Sequence, residues 1–369
     1  MALKVLHIVQ SLEPGGMENG IINMANLLSG DELSFDVCCM TEAGRMAKRL
    51  PQGCQLYVLG KSSGLDWSLP RKLKELLEAV NPDILHTHNL GPLIYSCMAC
   101  LFRAPYRILH GEHASLTRTD LRLRKRIQRK LFYRFCTRIH TVGRAMTRQL
   151  EGLRLSSQSI LTLQNGVDTD RFIPAKDKVS QREKLLGLGA DIQLVGIFGR
   201  FGPYKRHDYL LDAFTDVAVK CPNLHLLVAG GGGEFEDDIM ARIQKHSNGH
   251  RIHALGFLED PLSYYQCLDL LVIPSANEGL SNCALEAMSC GVPVLSNLNC
   301  GSEELIADGQ DGIVREINSP DALAKYLAWI FGFDGPNLQF LGANARQKIQ
   351  KQFSLGVMAN AYLNAYRAL

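Results

Sequence analysis

No stretch of the chain approaches the ~18–20 consecutive apolar residues that a membrane-spanning helix requires. The N-terminal run MALKVLHIVQ has no positive region, apolar core and small-residue cleavage site in series, so no secretory leader is recognised. A cytoplasmic protein is the expectation. Short repeats and low-complexity tracts are absent. A hydrophobic content of 46% against 21% charged residues excludes a disordered or collagen-like chain. Charge of one sign is scarce too, since 40 Lys and Arg against 37 Asp and Glu leave a net +3. The eleven cysteines are odd in number and scattered through apolar segments (Cys38, Cys39, Cys221, Cys283, Cys290). That usage fits reduced, buried thiols.

What is present is enough chain for two domains, because 369 residues exceed the ~100–200 of a single one. An apolar run, Val5–Val9, leads through the loop SLEPGG into a helical pattern at Ile21, Ile22, Ala25 and Leu28. Strand, glycine turn and helix open a βα unit. Short apolar runs at 35–40, 55–59, 84–86 and 106–110 alternate with helical segments such as Leu69–Val80. The pattern restarts after Asp168, with runs at Leu194–Phe198, Leu224–Ala229 and Leu270–Ile273, each ending in a loop before a helix. The reading is α/β: two Rossmann-like, doubly wound parallel-sheet domains facing a cleft, spanning 1–172 and 173–353, with a terminal helix at 354–369 crossing back to the first. In such sheets ligands bind beyond the carboxyl ends of the strands, so the chemistry is sought in those loops.

The segment IPSANEGLSNCALEAMSCGVPV places Glu278 and Gly279 in a loop, a helix start near Ser281 or Asn282, and Glu286 about one turn inside the helix. A helix N-terminus presents unpaired N–H groups and partial positive charge, which suit a phosphate. Flanking carboxylates can take sugar hydroxyls, although a helix cap and a surface acid would give the same spacing. After Leu194–Phe198 the loop GRFGPYKR carries Arg200 and Lys205, a fork and a point charge suited to a diphosphate; a solvated basic loop reads the same way. Gly15 and Gly16 allow close backbone approach, or make an ordinary turn.

Together these segments resemble a family 4 glycosyltransferase of the GT-B fold, closest to the sugar transferases of bacterial exopolysaccharide systems. EGLSNCALEAMSCGVPVL resembles the family's E-x7-E signature, GRFGPYKRHDYLLDAF its phosphate loop and LQNGVDTDRF its interdomain segment. PGGMENGIINMANLL, PDILHTHN and HGEHAS resemble N-domain motifs. The resemblance implies a retaining transfer from a nucleotide-sugar donor to a saccharide or lipid-linked acceptor in surface polysaccharide synthesis, with no cofactor and no metal. Glu278, His113, Arg200 and Lys205 would be the catalytic residues. The donor would be held by Gly15, Gly16, Arg200, Lys205, Leu258, Glu278, Gly279, Leu280, Ser281, Asn282, Cys283 and Glu286: diphosphate on Gly16, Arg200 and Lys205, sugar hydroxyls on Glu278, ribose on Glu286. His113 would approach the transferring sugar. Arg206 stands where many members have glycine, and Ser281–Asn282 also departs from the pattern; both bear on which sugar is used. A GT-B epimerase and a non-catalytic nucleotide-sugar-binding subunit are the alternatives.

Other signals are weaker. His86, His88, His110, Glu112 and His113 suggest a metal cluster, but equally a polar lining in which His110–His113 form a loop. Cys97 and Cys100 lack a second pair at zinc spacing. AGGGGEFEDD has Glu236 where a dinucleotide fingerprint needs its third glycine. The basic segment is more telling. Nine Lys or Arg lie between Arg118 and Arg138 against Asp120 alone. Within it Leu123, Ile127, Leu131 and Phe135 recur every four residues. Arg122, Arg124, Lys125, Arg126, Arg129 and Lys130 are expected to face the inner membrane leaflet or the acceptor; the competing reading is a helix whose apolar stripe packs on the first domain with its charges solvated, and both can hold at once. With no aromatic–basic interleaving on a strand, nucleic acid is not expected as a partner.

Overall fold

A computed structural model describes residues 2–30, 32–103, 105–117, 119–298 and 301–369. The chain forms two compact units, Met1–Gly166 with Leu355–Leu369, and Val167–Ser354. Val167–Phe172 go with the second unit because Val167 bonds the Phe353 carbonyl (2.9 Å) and Phe172 is buried in that unit's core.

The first unit strings together β1 (Leu3–Val9), β2 (Leu33–Cys39), β3 (Leu56–Val58), β4 (Ile84–His88), β5 (Arg107–Glu112), β6 (Arg138–Thr141) and β7 (Ile160–Thr162). They form one parallel sheet in the order β3-β2-β1-β4-β5-β6-β7. The second contains β8 (Gln193–Phe198), β9 (Leu224–Ala229), β10 (Ile252–Gly256), β11 (Leu270–Ile273), β12 (Val294–Asn297) and β13 (Ile313–Arg315). These run parallel in the order β10-β9-β8-β11-β12-β13. Each sheet therefore winds outward from a central strand, then reverses: at β1/β4 in the first and at β8/β11 in the second. Both sheets are the doubly wound α/β type expected.

Strand alternation sorts side chains onto two buried faces. On β1, Leu6 and Ile8 join one core, whereas Val5 and Val9 join the other, with Met358, Tyr362 and Tyr366 of the C-terminal helix Leu355–Arg367. On β8, Val195 and Ile197 face one core, Leu194 and Phe198 the opposite one. The described cysteines are all free thiols, and most are buried, Cys97 and Cys100 in the first unit's core.

The strand-end loops come close to each other where glycine permits it. Gly230, just after β9, bonds the Gly256 carbonyl (2.9 Å), and Gly199 N bonds Ala229 O (3.0 Å). Gly230 has φ +159°, and a Cβ there would lie 1.9 Å from the Gly199 oxygen. Gly230→Ala is expected to cost about 1–3 kcal/mol through this backbone overlap. A thermal unfolding midpoint equal to the parent's would show that β8 and β9 separate freely at their ends.

Candidate functional site

In the second unit the winding reversal opens between the ends of β8 and β11. The loop after β8 contains a short 3-10 turn, Pro203–Lys205, and the loop after β11 carries Glu278. Lys205 Nζ forms an ion pair with Glu278 Oε1, and Ser275 Oγ donates to the same oxygen (3.0 Å). Lys205, Glu278 and Cys283 line one pocket together with His207 and Ser275. Immediately beyond begins the helix Asn282–Ser289, with Ser281 at its N-cap. The Ser281 hydroxyl does not cap it; it meets Cys283 Sγ at 3.1 Å. Burial pushes the Cys283 thiol up to about 11, so it stays protonated. Ser281 lines a neighbouring pocket with Ala284, Gly301 and Ser302. Gly279 lends that region its carbonyl, which a Cβ on Gly301 (φ +65°) would approach to 2.8 Å. Leu280 is buried in the core.

The other expected donor residues lie around this centre. Glu286 is in the helix and is hydrogen-bonded by Tyr265, whose buried phenol is pushed well above its usual range. Tyr265 in turn stacks on Phe198 (centroids 4.3 Å apart). Arg200 is exposed and forms no ion pair among the described residues; it lies against the Gly230–Gly233 turn, its Cγ 3.3 Å from a Cβ placed on Gly233. Glu236 accepts from Gly232 N at 2.7 Å, closing that turn instead of a dinucleotide loop. Leu258 is partly buried against the core.

Arg206 has a left-handed backbone (φ 54°, ψ 43°), which explains glycine's suitability there. Its guanidinium bonds the Ile317 carbonyl at 2.6 Å and lies 4.7 Å from the Tyr209 ring, so the side chain offsets part of the strain. His207 follows. It is buried, neither ring nitrogen has a partner, and burial beside Lys205 holds it down to about 4. Sequence reasoning missed His207, Ser275 and Tyr265, because nothing local marks a helix-start histidine or a core tyrosine as lining a site.

The first unit is organised differently. Gly15 is the N-cap of the helix Gly16–Leu28, and the Glu18 carboxylate stands over it: a Cβ on Gly15 would be 2.2 Å from Oε2. His110 and Glu112 lie in β5 and not in a loop as expected; only His113 follows the strand. At the β1/β4 reversal, His7 and His86 are register partners, and His88 shares their face. These three could bring ring nitrogens within 4.8 Å of one another. They are instead joined to His113, His140 and Tyr366 by hydrogen bonds. His7, His86, His88 and His140 are fully buried, which holds them well below the usual imidazole range; His113 is held to about 4.

The basic segment forms a helix over Leu123–Phe132, with its apolar stripe turned outward and not packed on the first unit. Leu123 (72%), Ile127 (58%) and Leu131 (46%) are exposed, as are Leu101 and Phe102 nearby in sequence to the first core. The inward residues are Phe132 and Arg129, the latter only 4% exposed. Arg129 is therefore not part of a membrane-facing set. Its Nε bonds Glu112 Oε1 (2.8 Å), to which Tyr133 also donates (2.7 Å). Burial raises the Glu112 carboxyl, but His110 and Arg129 outweigh that and bring it to about 2. Arg122, Arg124, Arg126 and Lys130 remain exposed, and Lys125 pairs with Asp120 (2.8 Å). No described helix is long and apolar enough to cross a membrane.

Tandem doubly wound sheets of this order define the GT-B architecture. Residues 14–171 match the family described as Glycosyltransferase Family 4, and residues 183–348 that described as Glycosyl transferases group 1. Between them they account for nearly all of the chain, which belongs to the family 4 glycosyltransferases. It is 26% identical over 374 aligned residues to an Escherichia coli UDP-Gal:alpha-D-GlcNAc-diphosphoundecaprenol alpha-1,3-galactosyltransferase, covering 96% of this chain and 94% of that protein. It is 31% identical to the lipopolysaccharide core biosynthesis mannosyltransferase LpsB of Rhizobium meliloti (strain 1021), over 56% of this chain and 60% of the relative. Among solved structures, Anabaena Alr3699/HepE in complex with UDP and glucose superimposes with TM-score 0.84 over the full length of both chains at 19% identity.

The neutral histidines make a stability statement. Their folded values lie below the unfolded value of about 6.5, so on acidification the unfolded chain takes up protons before the folded one does. Stability is therefore complete above about pH 7 and is lost as pH falls through about 6, by up to about 1.4 kcal/mol per histidine for each further pH unit. Denaturant titrations at pH 7.5, 6.5 and 5.5 check this; equal midpoints at all three would show that the cluster titrates normally.

Proposed function

We propose that this glycosyltransferase moves a sugar from a nucleotide-sugar donor to a saccharide or lipid-linked saccharide in surface polysaccharide synthesis, with retention of anomeric configuration and without a metal ion. The observation that carries this is the Lys205–Glu278 pair at the β8/β11 reversal, beside the N-terminus of the Asn282–Ser289 helix. A carboxylate held by a cation and a hydroxyl has a fixed orientation from which to accept sugar hydroxyls. The ammonium has three N–H donors, so it can serve a carboxylate and a phosphate together.

Cleavage of the donor's glycosidic bond builds negative charge on the β-phosphate and positive charge on the sugar ring. Lys205 and Arg200, with the amides of Leu280, Ser281, Asn282 and Cys283, are the groups we assign to the developing anion. Preorganised donors of this kind contribute about 2.7–4 kcal/mol each, which suffices without a divalent cation. Retention follows from a front-face reaction in which the leaving phosphate helps deprotonate the acceptor. In this scheme Glu278 orients the sugar, Glu286 takes the ribose hydroxyls and Leu258 meets the base. On the first unit, Gly15 and Gly16 are assigned to the diphosphate and His113 to the transferring sugar. The printed donor and acceptor of the E. coli relative, a UDP-sugar and a diphosphoundecaprenol-linked sugar, support the substrate classes.

Lys205→Ala is expected to lower kcat by about 100–1,000-fold. Glu278→Gln should abolish transfer while weakening nucleotide binding only modestly, and Glu286→Ala should weaken nucleotide binding more. Transfer assays and thermal shifts with UDP, GDP, ADP and dTDP sugars, each with and without EDTA, read all three. Parental rates in both glutamate variants would overturn the site; loss of activity in EDTA would overturn metal independence.

The exposed ridge of Leu123, Ile127 and Leu131, bordered by Arg122, Arg124, Arg126 and Lys130, fits peripheral contact with an anionic inner leaflet, where a lipid-linked acceptor resides. Lys125 belongs to the same surface, moderated by Asp120. Each basic residue near such a surface adds about 1 kcal/mol. Arg124→Glu with Lys130→Glu should cut sedimentation with phosphatidylglycerol vesicles at least tenfold, and Ile127→Asp should do so at high salt as well. Equal sedimentation of all variants would remove the membrane role.

A further inference from the structure

The hydrogen bonds of the histidine cluster form a single unbranched path. From His113 Nε2 it runs to His88 Nδ1 (2.8 Å), then from His88 Nε2 to His7 Nδ1 (2.9 Å). His7 Nε2 meets the Tyr366 hydroxyl (3.2 Å), which meets His86 Nδ1 (2.8 Å), and His86 Nε2 meets His140 Nε2 (2.8 Å). Three strands (β1, β4 and β6), the residue after β5 and the C-terminal helix contribute. β5 lies between β4 and β6, and at the level of this path it carries Gly111. A Cβ there would stand 2.5 Å from His140 Nε2 and 2.8 Å from His113 Nε2. The missing side chain is what lets His86 reach His140 across the intervening strand.

Burial keeps these rings neutral, and a neutral imidazole has one N–H and one lone pair. Each ring along the path must then donate on one side and accept on the other, and the phenol does the same. Only two arrangements satisfy every bond and also place the phenol proton on the path, since a phenol accepting from both His7 and His86 would leave its own O–H, buried, off the path. In one, each proton points toward His113, whose Nε2 accepts, so its Nδ1 carries the N–H. In the other, every proton is reversed, His113 Nδ1 is a bare acceptor and the His140 N–H falls on its Nδ1, which is buried without a partner; the first arrangement is therefore favoured. No single ring can change tautomer without changing the others or breaking a bond.

We propose that His7, His86, His88, His140 and Tyr366 are positioning residues that together fix which nitrogen of His113 carries the proton. The path is not a metal site in this arrangement, because both nitrogens of His7, His86 and His88 are already bonded within the protein. The consequence for transfer rests on the assignment of His113 to the sugar; the tautomer coupling does not. The groups packed around the path are His7, His86, His88, His113 and His140, the β5 pair His110 and Glu112, and Tyr362 and Tyr366 of the C-terminal helix.

Tyr366→Phe removes one oxygen at the middle of the path and leaves the ring in place. Imidazole 15N spectra of the whole protein at pH 7.5 are expected to show one tautomer at His113 in the parent and a mixture in Tyr366→Phe. His7→Asn breaks the path at a second link and should give the same mixture, which keeps the test valid where one variant folds poorly. With it, kcat should fall about tenfold or more while the donor KM holds. Identical His113 spectra in the parent and in a folded variant would overturn the proposal. A tautomer mixture with parental kcat would uphold the coupling and overturn the role of His113 in transfer.

Discussion

Each sheet reverses its winding once, and that reversal decides where everything else can stand. Strands β8 and β11 are neighbours at the reversal, and the loops at their carboxyl ends meet there, Ala276 N bonding the Tyr204 carbonyl (2.8 Å). Lys205 and Glu278 meet there across 73 positions of sequence. The glycines of the β9 end then let the flanking backbone close in to van der Waals contact with the β8 loop, and the helix from Asn282 directs its first amides to the same edge. Cation, carboxylate and helix end are thus three consequences of one topological fact.

The equivalent reversal in the first unit, at β1 and β4, holds opposite chemistry. Its inward side chains are neutral imidazoles in a dry core in place of paired ions. A charged histidine there would be repelled by any second charge on the path, and burial denies it solvent. The buried pair of Glu112 with Arg129 lies on the other face and is well hydrogen-bonded, as a buried pair must be to avoid a large penalty. One reversal brings opposite charges together and the other holds hydrogen-bonded imidazoles.

The strand-end loops of the second unit were legible in sequence because their signals are local. An apolar run, glycines, then cations or acids before a helical pattern is a contiguous statement, and Leu194–Phe198, Leu224–Ala229 and Leu270–Ile273 end where the runs end. The histidine path was not legible. His86, His88 and His113 stood out as a possible cluster, but His7 and His140 sit singly on β1 and β6, and only strand order and parity bring them to the same face. The helix Leu123–Phe132 misled for a different reason. Periodicity locates an apolar stripe but not the side that faces the core, and here a buried carboxylate on β5 claims Arg129, which rotates the leucines outward.

That rotation has an energetic meaning. An isolated surface leucine is unremarkable, but Leu123, Ile127 and Leu131 stand on one stripe of one helix with Leu101 and Phe102 also exposed on the unit. Full burial of such a side chain is worth about 1.5–3 kcal/mol, and each neighbouring cation about 1 kcal/mol against anionic headgroups. Neither contribution alone holds a 40.9 kDa protein to a surface for long. For the proposed membrane contact, their sum is large enough for capture yet small enough for release. The Glu112–Arg129 pair is what makes that surface: it secures the helix to β5 through a basic residue, leaving Leu123, Ile127 and Leu131 exposed.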